Sequence, residues 1–160
     1  MTVINRELAK EKCSRLRTSG QKIVFTNGCF DLIHGGHVQL FDEARRQGNY
    51  LIVGLNSDDS VRRLKGSTRP VLPEEERAKI IDALEPVDDV VIFPEDTPGE
   101  LIKVLTPDVL VKGADYRKEE IVGADYVEAR GGEVYRVELV EGRSTSEIIA
   151  QIRRDGGNEN

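Results

Sequence analysis

The chain has no tryptophan, only two cysteines and two histidines, and no long apolar run in its 160 residues. A bilayer-crossing helix needs about 20 consecutive apolar residues; none occurs, so no segment is expected to span a membrane. The stretch Asn5-Arg6-Glu7-Leu8-Ala9-Lys10-Glu11-Lys12 is charged where a secretory signal is apolar, so no export address is expected and the cytoplasm is the expected location. Cys13 and Cys29 are too few for a disulfide framework and have no companions at zinc-site spacing, which suits a reducing compartment. A basic surplus is also missing. The formal net charge of −6 argues against a protein that coats nucleic acid, though a small anionic ligand stays open. No internal repeat or low-complexity block is visible.

With 38% hydrophobic and 32% charged residues, the composition is that of a globular chain, long enough to bury roughly two-thirds of its unfolded surface in one domain. Apolar runs alternate with helical-period segments, the pattern of β-α units around a parallel sheet. Strands are expected at 22–26, 50–55, 89–93, 108–112 and 133–137. Helices are expected near 3–17, 36–47, 57–65, 74–84, 98–105 and 144–154. Two of these helices carry start signals: Thr97-Pro98-Gly99-Glu100 places proline at a first helical position, and Pro73-Glu74-Glu75-Glu76 loads a first turn with acids. Continuous β-branched runs such as Val90-Val91-Ile92 and Val109-Leu110-Val111 expect cover on both faces. The expected fold is therefore three-layer α/β and Rossmann-like, a five-stranded parallel sheet with helices on both faces. Ligands in such sheets bind beyond the carboxyl ends of the strands, where strand order reverses.

Both histidines fall at such an end. His34 and His37 lie in Asn27-Gly28-Cys29-Phe30-Asp31-Leu32-Ile33-His34-Gly35-Gly36-His37, directly after Ile23-Val24-Phe25. A strand that breaks into a glycine-containing turn and opens a helix presents backbone N–H groups and a positive helix end to an anion. Gly36 lets phosphate approach, and the imidazoles add donors. A histidine pair at a helix start also serves as a cap or a packed polar pair, and Cys29, Asp31, His34 and His37 together could hold a metal. The phosphate reading is preferred because the residues repeat no familiar zinc spacing, and no metal site is assigned. Cys29 reads as a small packing residue.

Three further segments could serve the same crevice. Arg62, Arg63, Lys65 and Arg69 crowd four cations into eight positions, and an acidic protein can still focus positive potential in one cleft. Gly142-Arg143-Ser144-Thr145-Ser146-Glu147 is a helix start with Ser144 and Glu147 at capping-box spacing, and its hydroxyls behind Arg143 could also cradle a triphosphate. Val109-Leu110-Val111-Lys112-Gly113-Ala114-Asp115-Tyr116 ends a strand with Lys112 for a phosphate, Gly113 for a flat base and Tyr116 for stacking.

Taken together, these segments resemble the cytidylyltransferase-like nucleotidyltransferase superfamily, whose signature is His-x-Gly-His, over Lys22 to about Arg154. The nearest likeness is to adenylyltransferases that make ADP-heptose from D-glycero-D-manno-heptose 1-phosphate and ATP. It rests on Thr26 to Asp31, Arg63-Leu64-Lys65-Gly66 with Arg69-Pro70-Val71, Glu76-Arg77, Pro107 to Tyr116, and Gly131-Gly132-Glu133-Val134. The resemblance implies transfer of AMP from ATP to a sugar 1-phosphate with substrate-bound Mg²⁺. His34, His37, Lys65 and Arg77 would be catalytic. Asn27, Gly28, Cys29, Phe30, Gly36, Lys112, Gly113, Asp115, Tyr116, Arg143, Ser144, Thr145 and Ser146 would join the histidines in binding nucleotide, and Asp31, Lys65 and Arg69 would meet the acceptor.

Related cytidylyltransferases carry arginine ahead of a Glu-Gly-Ile-Ser-Thr-Thr run; here Leu139 stands at that place and Arg143 replaces the isoleucine, which counts against cytidylyl transfer. Cytidylyl transfer to glycerol 3-phosphate or a similar acceptor, and a non-catalytic nucleotide-binding module, are the alternatives. The expected organisation is an N-terminal helical extension (1–20), the nucleotidyltransferase domain (21–154) and a flexible tail (155–160). The chain has no room for a sugar kinase, so a separate kinase would supply the sugar 1-phosphate. The resemblance also raises a homodimer, although no apolar stripe in the sequence argues for one.

Overall fold

The computed structural model describes residues 3–139 and 144–156. Five parallel strands, β1 (Ile23–Gly28), β2 (Tyr50–Asn56), β3 (Asp89–Phe93), β4 (Val109–Gly113) and β5 (Glu133–Val137), form one sheet in the order β3-β2-β1-β4-β5. The connecting helices are α1 (Arg6–Thr18), α2 (Gly35–Arg45), α3 (Asp58–Lys65), α4 (Glu74–Asp82), α5 (Gly99–Leu105), α6 (Ala124–Ala129) and α7 (Thr145–Gly156), with a short 3-10 turn at Lys118–Glu120. Strand order reverses between β1 and β4.

Alternate residues of each strand enter opposite cores. Val24 joins Leu51-type neighbours such as Val53 and Leu55 beneath Leu40, Phe41 and Ala44 of α2 and Ala78 and Ile81 of α4. Ile23 and Phe25 face the other way, with Ala9 and Cys13 of α1, Leu101, Ile102 and Leu105 of α5, and Ala124 and Val127 of α6. Each fully buried aliphatic or aromatic side chain contributes about 1.5–3 kcal/mol, so both faces of the sheet are strongly held. This is the three-layer α/β arrangement that the alternating pattern predicts.

The expected strands are all present. α6 was not anticipated: its six residues span less than two turns, too short for a helical period to register. α4 starts at Glu74 behind three first-turn acids, whereas α5 starts at Gly99, one residue after the expected proline, with no side-chain cap. The stretch expected as an N-terminal extension is built into the domain. Val3 bridges to Val90, Ala9 and Cys13 are buried in the core, and Arg6 forms a two-pronged ion pair with Glu95 at 2.8 Å. The helix expected from residue 3 begins later because Asn5 caps it, its side chain accepting the Leu8 N–H. Helix α7 runs on through Gly156, into the expected tail, and residues 157–160 lie outside the described residues.

The reversal point is physically open. β1 pairs with β2 along its whole length, from Ile23↔Tyr50 to Gly28↔Leu55, but with β4 only at Val24↔Val109 and Phe25↔Leu110. Beyond that, side chains bridge the splayed strands: Thr26 Oγ1 donates to the Val111 carbonyl at 2.8 Å, and Lys112 Nζ to the Asn27 carbonyl at 3.0 Å. The gap between Asn27-Gly28 and Lys112-Gly113 becomes the mouth of a cavity.

Candidate active site

A cavity of about 720 Å³ occupies this mouth. Its walls gather Asn27, Gly28, Cys29, Phe30, Asp31, His34, Gly36 and His37 from the end of β1, the turn after it and the start of α2; Lys65 from the end of α3 and Arg69 from the loop after it; Lys112, Gly113, Asp115 and Tyr116 from the end of β4 and the turn after it; and Ser144, Thr145 and Ser146 from the start of α7. Sequence reasoning missed Leu40, Asn56, Leu64, Asp96 and Leu139, which also line it. Asn56 ends an apolar strand and Asp96 closely follows another, so the rule that ligands bind at carboxyl strand ends points to both. Arg143 lies outside the described residues.

The histidines are organised by the helix they start. His34 is the N-cap of α2: its Nδ1 accepts the Gly36 N–H at 3.1 Å, while the His34 N–H donates to Nδ1 of His37 at 3.2 Å. This is a capping box made of two imidazoles. Glycine at 36 suits the same contact, because a Cβ there would stand 3.0 Å from Cε1 of His34 and press on the capping ring. A nitrogen that accepts a backbone N–H carries no proton, so each neutral ring holds its proton on Nε2. The cap reading and the ligand reading therefore coexist: Nδ1 serves the fold and Nε2–H remains as a donor.

The rings lie 3.8 Å apart between centroids and are tilted by 31°. Burial, reinforced by the neighbouring His34, lowers the pKa of His37 to about 4; burial also lowers that of His34, against the opposing pull of Glu147. The pair is thus neutral at physiological pH.

Positive charge comes from other elements. Lys65 at the end of α3 is exposed, with no ion-pair partner among the described residues. Lys112 stands 5.0 Å from the centroid of the Tyr116 ring, and burial lowers its pKa to about 8. Burial also pushes the Cys29 thiol up, against the pull of Lys65, Arg77, Arg69 and Lys112, so it stays a protonated lining group.

Two of the expected site residues, Asp31 and Arg77, are enclosed. Asp31 lines the cavity but is 1% exposed, and its carboxylate accepts Arg69 Nε at 2.7 Å, the Val71 N–H at 2.8 Å and the Leu72 N–H at 3.1 Å. Burial alone would raise its pKa; these donors outweigh that and hold it below the ordinary carboxylate value. These bonds make Asp31 the anchor of the 69–72 loop within the cavity wall. Arg77 is not part of the cavity wall at all. It is 0% exposed, and its guanidinium donates to the carbonyls of Leu72 (2.9 Å), Cys29 and Asn56 (2.8 Å each) and to Asp58 Oδ1 (2.8 Å). A buried cation with its donors so occupied fastens the turn, the end of β2 and the start of α3 together.

At the opposite wall, Ser144 and Glu147 form the expected capping box, with both reciprocal bonds at 3.1 Å, and Thr145 Oγ1 ties α7 to the histidine turn through the Leu32 carbonyl at 3.1 Å. Among the described residues no three of His, Cys, Asp or Glu converge as a metal-binding set.

The cytidylyltransferase-like family profile matches residues 25–151, a span that includes the strand, histidine turn, Lys112 segment and α7 start. The chain belongs to the cytidylyltransferase-like family. Among similar members, Bifunctional protein HldE of Magnetococcus marinus is 54% identical over 144 residues, covering 90% of this chain and 30% of that protein. HldE of Gluconobacter oxydans is 59% identical over 130 residues, 81% of this chain and 27% of that protein. The chain thus spans about 30% of the length of these relatives. Among solved structures, the lipopolysaccharide core biosynthesis protein from Thermoplasma volcanium superposes with a TM-score of 0.62 at 25% identity, covering 78% of this chain and 100% of that one. Pantoate-beta-alanine ligase from Francisella tularensis shares the fold, with a TM-score of 0.60 at 16% identity over 91% of this chain and 69% of that one. No helix among the described residues is long and apolar enough to cross a membrane.

Proposed function

We propose that this chain is an adenylyltransferase that transfers AMP from Mg²⁺-bound ATP to a sugar 1-phosphate, D-glycero-D-manno-heptose 1-phosphate being the favoured acceptor, to give ADP-heptose and pyrophosphate. The observation that carries the reading is the pair of imidazoles whose Nδ1 atoms are occupied by backbone N–H groups, leaving two Nε2–H donors at a strand-reversal cavity that also holds Lys65, Arg69 and Lys112. Family membership supports nucleotidyl transfer, and likeness to HldE proteins and to a lipopolysaccharide core biosynthesis protein supports an activated sugar as product.

The acceptor phosphate oxygen attacks the α-phosphorus of ATP in line, and the bond to the bridging oxygen of pyrophosphate breaks. A phosphate monoester, with a second pKa near 6, is already largely dianionic at neutral pH, so no general base is needed. The protein's task is to bring two anions together and stabilise the charge that moves between them. Neutral Nε2–H donors suit that task, since they give a hydrogen bond without losing a proton. Lys112, Tyr116, Asp115 and the Ser144 region form the nucleotide side of the cavity; Lys65 and Arg69 form the acceptor side. Mg²⁺ enters with the triphosphate as part of the substrate. A cytoplasmic location and supply of the sugar 1-phosphate by a sugar kinase belong to the same proposal.

Pyrophosphate release, measured with ATP and CTP side by side against heptose 1-phosphate, glycerol 3-phosphate and phosphocholine, tests this reading. Release with ATP and the heptose phosphate, abolished by chelation, is the expected result. Preference for CTP with glycerol 3-phosphate would move the chain to cytidylyl transfer, and nucleotide binding without release from any acceptor would make it a binding module.

A further inference from the structure

His37 is boxed between two rings. His34 lies along one side of it, and Phe30 stands perpendicular, with 5.3 Å between centroids and an interplanar angle of 88°. Phe30 reaches this place through an uncommon backbone: its φ is +44°, in the left-handed region that residues bearing a Cβ enter only when their surroundings over-determine it. Here both flanks are fixed. The preceding Cys29 carbonyl is held by Arg77 at 2.8 Å, and the following Asp31 is anchored by the Val71 and Leu72 N–H groups. The ring is 6% exposed, lies 5.1 Å from Phe41, and closes over Gly28 so tightly that a Cβ at 28 would stand 2.9 Å from its Cζ. Filling the core does not require a left-handed phenylalanine, because the strands offer apolar positions on ordinary backbone.

We propose that Phe30 is a positioning residue for the transfer reaction: its left-handed backbone, braced by Arg77 through the Cys29 carbonyl, stands the ring against His37 and holds that imidazole with Nδ1 on the His34 N–H and Nε2–H free for the polyphosphate. The consequence for turnover rests on the adenylyltransferase reading; the orienting contact does not. A perpendicular ring blocks rotation about the Cβ–Cγ bond of His37, which would put Cδ2 where Nδ1 now accepts the His34 N–H and so remove the bond that fixes the proton on Nε2. It also excludes water from that side of the imidazole. In this arrangement Arg77 acts on the site through two intervening residues, which accounts for its complete burial beneath a cavity it does not enter.

Ring ¹⁵N spectra of the full chain without ligand read the tautomer of His37 directly. Wild type is expected to show one form, protonated at Nε2. Phe30→Leu is expected to show a mixture of tautomers and a kcat lower by about 10- to 100-fold, the range for a misplaced catalytic group, with KM for ATP changed by less than about threefold. Phe30→Met serves if the leucine variant does not fold. Phe93→Leu, which removes a fully buried ring from the opposite core, is the control; it is expected to lower thermal stability while leaving the tautomer and kcat as in wild type. A single Nε2–H form and wild-type kcat in the Phe30 variants would overturn the proposal. If no acceptor supports transfer, the ring spectra still decide whether Phe30 orients His37, so the two readings fail separately.

Discussion

Arg69 donates its Nε–H to the buried carboxylate of Asp31 at 2.7 Å, so a cation of the cavity wall is oriented by an anion whose own oxygens are occupied. With side-chain exposures of 13% and 0%, the pair is shielded from solvent. Removing one partner of a buried ion pair typically costs about 3–5 kcal/mol. Asp31→Asn should therefore lower the free energy of urea unfolding by roughly that amount and weaken acceptor binding more than nucleotide binding. Because the folded-state pKa of Asp31 is depressed, its stabilisation is present above the unfolded value and is lost as pH falls through the folded one. The variant should lack this acid-side loss.

Replacing His37 separates binding from chemistry. Loss of one donor that stabilises transition-state charge typically costs about 100- to 1,000-fold in rate. His37→Ala should lower kcat on that scale while KM for ATP changes little. Small and equal effects on both constants in steady-state assays would make the residue a cap only.

The same histidine sets a pH dependence of stability. Its pKa is lowered to about 4, below the ordinary value of 6.5, so between these values the unfolded chain binds more protons than the folded one. Stability should fall as pH is lowered from 6.5 toward 4 and this contribution should level off below that. Urea midpoints across this range should show a shallower slope for His37→Gln than for wild type.

Lys112, whose pKa is lowered to about 8, loses its charge within the range of an ordinary assay. Its cationic form prevails below that value, so affinity for ATP should weaken as pH rises from 7 to 9. Titration calorimetry of Lys112→Met should show weaker binding at pH 7 and a flatter dependence on pH.

Arg77 should behave as part of the frame. Arg77→Ala strands Asp58 and three carbonyls, and a stability loss of about 3–5 kcal/mol is expected from uncoupling a buried charge network. KM for either substrate should change little in the folded fraction, measured by active-site titration, whereas a residue touching substrate would raise one of them.

The parts legible in the sequence are those set by local chemistry. Continuous β-branched runs located the strands, and a glycine turn between the first strand and a helix located the histidine pair, because strand period and helix capping are read from neighbours along the chain. Asp31 and Arg77 were harder. Nothing local says whether an ionic side chain projects into a cleft or is enclosed, and here the packing of the 69–72 loop and of α4 encloses both. Asn56 and Asp96 stand at or just beyond carboxyl strand ends, so the strand-end rule marks them, but only the meeting of distant segments shows that they share one wall.

The sequence by itself determined the alternation of strands and helices, the place of the histidine pair at a helix start after the first strand and the family to which the chain is akin, since these follow from short-range patterns of polarity and turn chemistry. Tertiary structure alone decided which cations face the cavity and which are sealed beneath it. The physical reason is that the exposure of a charged side chain is set by every element packed around it, and those elements meet only when the splayed ends of β1 and β4, the loop after α3 and the start of α7 come together.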